Sequence, residues 1–267
     1  MNIRLNGKRY ECAYSSAYDI RKNLFSEEDI IIINGFQISD DCTLKDNDEV
    51  FVISRGVMPA REQLEKMMAA RHTPSVHNAV KKGFVGIAGL GGLGSNIAVS
   101  LARTGVGRML LVDFDIVEPS NINRQSYYIS YLGMYKTDAL KSQLQQINPF
   151  IKIETCNIRV TDSNACELFG KCDVVCEAFD SPQAKAMLVN VLLQNCPEVK
   201  IVSGSGMAGL SSSNLIRTTR KVKNLYVCGD QQSEAKQGNG LMAPRVQICA
   251  GHQSNMVLRL LTGTEDV

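Results

Sequence analysis

The chain has 267 residues, with 29 basic against 27 acidic side chains, a net charge of +2 and 44% apolar residues. That is enough for one large domain, or a large and a small one, with a real core; disordered and low-complexity classes are excluded, and bulk charge does not point to a polyanion partner. No uncharged apolar run reaches the roughly 18 residues of a membrane span and the start, Met1 to Arg9, has no apolar signal core, so the expectation is a cytoplasmic protein that binds neither membrane nor nucleic acid.

In chain order, residues 1–56 read as a small unit. Ile3 and Leu5 alternate with polar residues, Asn6-Gly7 is a hairpin signal, and alternation resumes at Tyr10 and Cys12. A short helix capped by Ser15 or Ser16, with Ile20 and Leu24 on one face, precedes a strand at Ile30–Ile33, a second turn at Asn34-Gly35 and a strand at Glu49–Ser54. The order ββαββ predicts a β-grasp domain. It carries seven basic and ten acidic residues against 22 and 17 in the remainder, so the two parts differ in sign. Residues 57–82 read as a helical linker, with Pro59 in a first helical turn and a stripe of Leu64, Met67 and Met68.

From residue 83 to 267, short apolar strands (Phe84–Ala88, Met109–Val112, Ile151–Thr155, Val174–Ala178, Val199–Val202) alternate with helical patterns marked by Leu93/Ile97/Leu101, Leu140/Leu144/Ile147 and Met187–Leu193. This predicts an α/β, Rossmann-like domain, a mostly parallel sheet with helices on both faces. Strand-like Asn214–Thr218 and Leu225–Cys228, a polar stretch Gly229–Gly240 and an amphipathic helix from about Ala243 close the chain. The nine cysteines form no C-x-x-C, which disfavours a closed zinc site and makes them packing thiols.

The chemistry is concentrated after the strands. Gly89-Leu90-Gly91-Gly92-Leu93-Gly94 follows a strand and opens a helix, where glycines let the backbone approach a phosphate and the helix N-terminus supplies free N–H groups. Asp113, 19 residues past Gly94, ends the next strand where a carboxylate can accept from ribose hydroxyls. These features suit NAD and ATP equally. The polar segment Glu118–Gln125 then brings Arg124 and the amides of Asn121 and Gln125 toward the phosphates, and Lys136 precedes a helix at the same edge. Two cations suit a triphosphate whose leaving group gains charge. Asp180 follows the strand Val174–Ala178 and is a single-carboxylate candidate for Mg²⁺.

Gly89-x-Gly-Gly-Leu-Gly-Ser95, Asp113-Phe-Asp115, Ser120-Asn121-x-Asn-Arg124-Gln125, Gly133-x-x-Lys136 and Asp180, in this order, resemble the ThiF/MoeB branch of the ubiquitin-activating-enzyme superfamily over residues 71–262. Arg71-His72-x-Pro74, Glu177–Asp180, Cys228-Gly229-Asp230 and Leu241–Val246 resemble its ThiF-type, thiamine-biosynthesis subgroup, and the β-grasp is similar to the sulfur carrier ThiS. The resemblance implies an adenylyltransferase that uses ATP and Mg²⁺ to activate the C-terminal glycine carboxylate of a ThiS-like sulfur carrier, with a sulfur donor as a further partner and a homodimer as its assembly. It assigns ribose to Asp113, phosphates to Arg124 and Lys136, Mg²⁺ to Asp180, nucleotide support to Asp115 and Asn121, and a reach across the dimer interface to Arg71.

Three departures qualify the resemblance. Relatives often hold zinc with two C-x-x-C pairs, whereas this chain has only Cys228 and Cys249 in that region, so no zinc is expected. Cys228 is also the candidate for a carrier-bonding thiol, though packing is the favoured role. The fused β-grasp runs through Gly56-Val57 without a free carboxylate, so it is expected to be a docking or regulatory module rather than the substrate. The competing readings are a nicotinamide-dependent oxidoreductase or redox sensor, which leaves Arg124, Lys136 and Asp180 without a role, a non-catalytic nucleotide-binding interaction protein, and a tRNA-modifying relative, for which no basic stripe is visible.

Overall fold

In the computed structural model, all residues are described except Glu28, Arg55 and Thr73, and nothing is stated of the side chains of Arg61, Glu62 and Pro74. Arg55, at the exit from the β-grasp, and Thr73, inside the Arg71-His72-x-Pro74 motif, therefore lie outside the described residues. The chain divides into two units, Met1–Asn78 and Ala79–Val267.

The first unit is shaped by its two asparagine–glycine turns. Asn6 and Gly7 (φ 47° and 73°) and Asn34 and Gly35 (φ 51° and 90°) take the left-handed conformation that two-residue hairpins require. The first turn joins β1 (Asn2–Leu5) to β2 (Lys8–Glu11). The second joins β3 (Ile30–Ile33) to β4 (Phe36–Gln37), a strand too short for an alternation pattern to show in the sequence. Between them α1 (Ala17–Leu24) starts at Ser16, whose hydroxyl accepts the Asp19 N–H at 3.2 Å. With β5 (Glu49–Ile53) the sheet runs β2-β1-β5-β3-β4, β1 and β5 being parallel. Ile3, Ile20, Ile31, Val50 and Val52 are buried together on one side, while Ile32 and Phe51, one residue out of phase, pack with Ala70 and Met67. α2 spans Arg61–Met68 and α3 Pro74–Lys82. Pro59 lies before the Ala60 N-cap of α2, so it precedes the helix instead of occupying its first turn.

In the second unit the elements are β6 (Phe84–Ala88), α4 (Gly92–Thr104), β7 (Arg108–Asp113), α5 (Lys136–Ile147), β8 (Lys152–Asn157), α6 (Ala165–Phe169), β9 (Val174–Glu177), α7 (Pro182–Asn195), β10 (Lys200–Gly204), β11 (Arg217–Val222), β12 (Leu225–Gly229) and α8 (Ala243–Leu261). The seven strands lie in the order β11-β12-β10-β9-β6-β7-β8, all parallel except the edge strand β11. Asn214 belongs to a 3-10 turn, its N–H held at 3.3 Å by the Ser212 hydroxyl, so the strand expected at Asn214–Thr218 begins only at Arg217.

The alternation along β7 divides the core. Met109 and Leu111 are buried with Ile97 and Leu101 of α4, Leu140 and Leu144 of α5, and Cys249 and Val257 of α8. Leu110 and Val112 face the opposite layer, with Phe169 of α6 and Leu188 and Leu192 of α7. Each such side chain contributes about 1.5–3 kcal/mol on burial. Helices on both faces account for the uninterrupted apolar strands. Strand order reverses between β6 and β9, so the loops that follow them diverge and leave a crevice at the carboxyl end of the sheet.

Candidate functional site

That crevice is a cavity of about 460 Å³, and its walls include Gly89, Gly91, Gly92, Asp113, Asp115, Asn121, Arg124, Gln125, Lys136 and Asp180. The glycine loop is built by close approach. Gly89 has φ 88°, and a Cβ on Gly94 would lie 1.8 Å from the Gly89 carbonyl oxygen, so any larger residue there displaces the loop. Gly94 is thus a packing glycine behind the cavity wall. Gly91 is the N-cap of α4 and offers no side chain, which leaves the first N–H groups of the helix without a side-chain acceptor beside the cavity.

Asp113 closes the loop. One carboxylate oxygen accepts the Leu90 N–H at 2.6 Å and the other the Asp115 N–H at 2.9 Å. Its expected role toward a ribose is therefore shared with holding the loop. The buried Tyr127 hydroxyl donates to the Leu90 carbonyl at 2.8 Å, and burial pushes the phenol well above its ordinary pKa, so it remains a donor. Asn121 is buried and accepts the Glu118 N–H at 3.1 Å within a reciprocal capping box, shaping the polar segment from inside. Ser95 and Asn96 of α4 anchor the same segment: Ser126 N–H donates to the Ser95 hydroxyl at 3.0 Å and the Asn96 amide donates to the Arg124 carbonyl at 3.1 Å.

The charges differ in how firmly they are held. Arg124 donates to the Ser120 carbonyl and the Asn123 amide oxygen, both at 2.9 Å, and has no ion-pair partner among the described residues. Lys136 is the first residue of α5 and does not precede it; its side chain is 8% exposed and pairs at 2.9 Å with Asp115, whose carboxylate is 50% exposed. A cation at a helix N-terminus opposes the helix dipole, so the Asp115 carboxylate stabilises it there. Asp180 is exposed on the cavity wall and meets no donor among the described residues. The backbone leading to it is fixed by Glu177, a fully buried carboxylate that accepts the Phe179 N–H at 2.7 Å, the Ser203 hydroxyl at 2.5 Å and the Lys185 ammonium at 3.0 Å on each oxygen.

Two profiles match the chain: the ThiF family over residues 65–267 and ThiS-like ubiquitin over residues 1–56. The chain belongs to the ThiF family. Among its relatives are adenylyltransferase and sulfurtransferase UBA4 of Lodderomyces elongisporus, 31% identical over 67% of this chain and 40% of that protein, and molybdopterin-synthase adenylyltransferase of Haemophilus influenzae, 37% identical over 46% of this chain and 49% of that one. These alignments span less than half of either curated relative. In fold, the chain is similar to two solved structures, E. coli tRNA N6-threonylcarbamoyladenosine dehydratase TcdA in complex with ATP (TM-score 0.68, 21% identity, 78% of this chain and 98% of that chain) and E. coli MccB (TM-score 0.57, 20% identity, 76% and 63%).

In this ThiF-family chain the cavity suits a nucleoside phosphate on two observations: helix N–H groups without a side-chain cap and an arginine without an ion-pair partner among the described residues; Gln125, whose buried amide oxygen meets no donor among the described residues, also lines the cavity. For Mg²⁺ the fit is that of one free carboxylate, Asp180, which suffices where phosphate oxygens and water complete the shell; no group of three or more metal-binding side chains occurs among the described residues. Cys228 is fully buried, and burial pushes its thiol up to about 11 against the hydrogen bond from Thr218; that is the setting of a packing thiol. Cys249 is equally buried and donates to the Cys228 carbonyl at 3.4 Å. Arg71 belongs to the first unit and donates to Gln37 at 2.7 Å. Sequence reasoning missed Glu177 as an anchor, together with Lys185, Gln253, whose buried amide donates to the Glu177 and Val202 carbonyls, and the Arg245–Asp230 pair at 2.6 Å. Polar residues inside otherwise apolar runs were the available signal.

Proposed function

We propose that this protein is an ATP-dependent adenylyltransferase that activates the C-terminal glycine carboxylate of a separate ThiS-like sulfur carrier, in the formation of the thiamine thiazole. The observation that carries the proposal is the convergence on one cavity of the glycine loop, Asp113, Arg124, Lys136 and Asp180 from five separate segments. In the proposed step a carrier carboxylate oxygen bonds to the α-phosphorus, and the bond to the bridging oxygen of the β-phosphate breaks, yielding carrier–AMP and pyrophosphate. A terminal carboxyl has a pKa of about 3.5 and is already ionised, so no general base is needed.

Catalysis then rests on positioning and charge. The uncapped N–H groups of α4 and the Gln125 amide hold phosphate, Asp113 faces the ribose side, and Arg124 and Lys136 meet the charge that builds on the leaving group. Lys136 can turn to phosphate because its partner Asp115 is half in solvent and loses little when uncovered. Asp180 is the residue to hold Mg²⁺, which would neutralise charge on the phosphates. The ThiS-like choice of carrier is supported by the fused domain's own match to ThiS-like ubiquitin. In that domain Gly56 continues into Val57, an internal peptide bond with no carboxylate to activate, so the fused unit acts as a docking or regulatory module in a homodimer.

ATP–pyrophosphate exchange is the test, run with no carrier, with a ThiS-like carrier ending in Gly-Gly, and with a molybdopterin-synthase-type carrier. Exchange that needs the ThiS-like protein is expected. Preference for the second carrier would overturn the thiamine assignment, exchange with no carrier would make residues 1–56 the substrate, and no exchange under any condition would overturn adenylyl transfer.

A further inference from the structure

We propose that Cys166 and Cys196 are a thiol-modification site that closes to a reversible intramolecular disulfide. The inference does not depend on the nucleotide chemistry proposed above. Cys166 lies in α6 and Cys196 is the C-cap of α7, 30 residues later, yet their sulfurs are 2.9 Å apart. No other two cysteine sulfurs are in hydrogen-bonding range among the described residues. Five of the remaining cysteines, Cys12, Cys172, Cys176, Cys228 and Cys249, are buried, whereas Cys166 and Cys196 are both part-exposed, so a small oxidant can reach them.

The backbone around the pair is shaped to permit the approach. Gly170 caps the end of α6, and a Cβ there would lie 2.6 Å from the Cys166 carbonyl oxygen and 3.3 Å from the Cys196 sulfur. A side chain there would press on the Cys166 carbonyl and the Cys196 sulfur. The intervening loop contains β9, Asp180 and the whole of α7, so a bond between the sulfurs fastens the two helices that lie on one face of the strand leading to Asp180. The sulfurs are already in contact, so the bond can form with little movement of either helix.

The oxidant is a low-molecular-weight disulfide such as oxidised glutathione. Cys166, whose sulfur accepts a hydrogen bond from the Cys196 thiol, attacks as thiolate; the glutathione disulfide bond breaks, a mixed disulfide forms and one glutathione leaves. Cys196 then loses its proton and displaces the second glutathione, forming the Cys166–Cys196 bond. The protein gives up two protons and two electrons, and both appear on two molecules of glutathione. Burial, with the bond to Cys166, pushes the Cys196 thiol up to about 11, so closure accelerates as pH rises from neutrality.

The test uses the full chain with oxidised glutathione at pH 8, then alkylation of the remaining thiols in denaturant, and mass mapping without reductant. The expected product is lighter by two hydrogens, retains seven of nine alkylatable thiols and yields one peptide pair joined through Cys166 and Cys196. Reductant should restore all nine. Cys196→Ser should instead stop at a stable glutathione adduct on Cys166, because the resolving thiol is gone. Wild-type protein that keeps nine free thiols, accumulates separate glutathione adducts on both cysteines, or joins other cysteines first would overturn the assignment. The wild-type measurement is decisive by itself if that variant fails to fold.

Discussion

Two of the lysine–carboxylate pairs in the ThiF-family unit have similar distances and opposite properties. Lys136–Asp115 spans 2.9 Å with a carboxylate that is 50% exposed, while Lys185–Glu177 spans 3.0 Å with a carboxylate that is not exposed at all. The first pair borders the cavity, and its carboxylate can turn to water when the lysine takes another partner. The second cannot be released, because Glu177 also accepts from Phe179 and Ser203 and loss of the lysine would strand a buried charge. Distance alone therefore does not separate a working ion pair from a scaffolding one; solvent access and the number of competing donors do.

Breaking the scaffolding pair should have the largest effect. Lys185→Met is expected to cost about 3–5 kcal/mol in chemical denaturation, since it leaves Glu177 buried and unpaired; a cost below 1 kcal/mol would show that the two pairs are alike. Asp180→Ala is expected to reduce pyrophosphate exchange about 10³-fold while moving stability by less than about 0.5 kcal/mol, because the carboxylate is exposed and its deletion disturbs no packing. An equal loss of stability would place Asp180 in the scaffold. For the working pair, Lys136→Met should slow exchange about 10²-fold, and Asp115→Asn should change it by less than tenfold if the lysine truly serves phosphate.

The smallest effect concerns a third pair, away from the cavity. The Arg108 guanidinium, bonded to Glu154 through two nitrogens at 2.9 Å, and then Lys152 hold the Glu154 carboxyl at about 2, below its ordinary 4.5. A lowered folded-state pKa stabilises above the unfolded value and loses that contribution as pH falls through the folded one. Glu154→Gln should therefore flatten the decline of thermal midpoint between pH 4.5 and pH 2. The change is small because the groups are solvent-exposed, and an unaltered slope would remove the pair from the acid response.

Much of the site was legible because its elements are local in sequence. Gly89–Gly94 and Asp180 each follow a strand and Asp113 ends one, and a strand's end in a parallel sheet is a position that periodicity alone locates. Glu177 stands out locally only as a polar residue in an apolar strand run, and its anchoring role is not written there because its partners come from residues 179, 185 and 203. The Cys166–Cys196 contact was equally hidden: the sequence shows two cysteines 30 residues apart, and only the packing of α6 against α7 joins them.

Composition and pattern by themselves determined an α/β chain with a β-grasp in front, because hydrophobic period and turn chemistry act over a few residues and are written in them directly. The tertiary structure alone decided which charges are held and which are free. Among the described residues Arg124 and Asp180 have no charged partner, Lys136 has an exposed one and Lys185 a buried one, and these states depend on the solvent exclusion produced when distant segments pack.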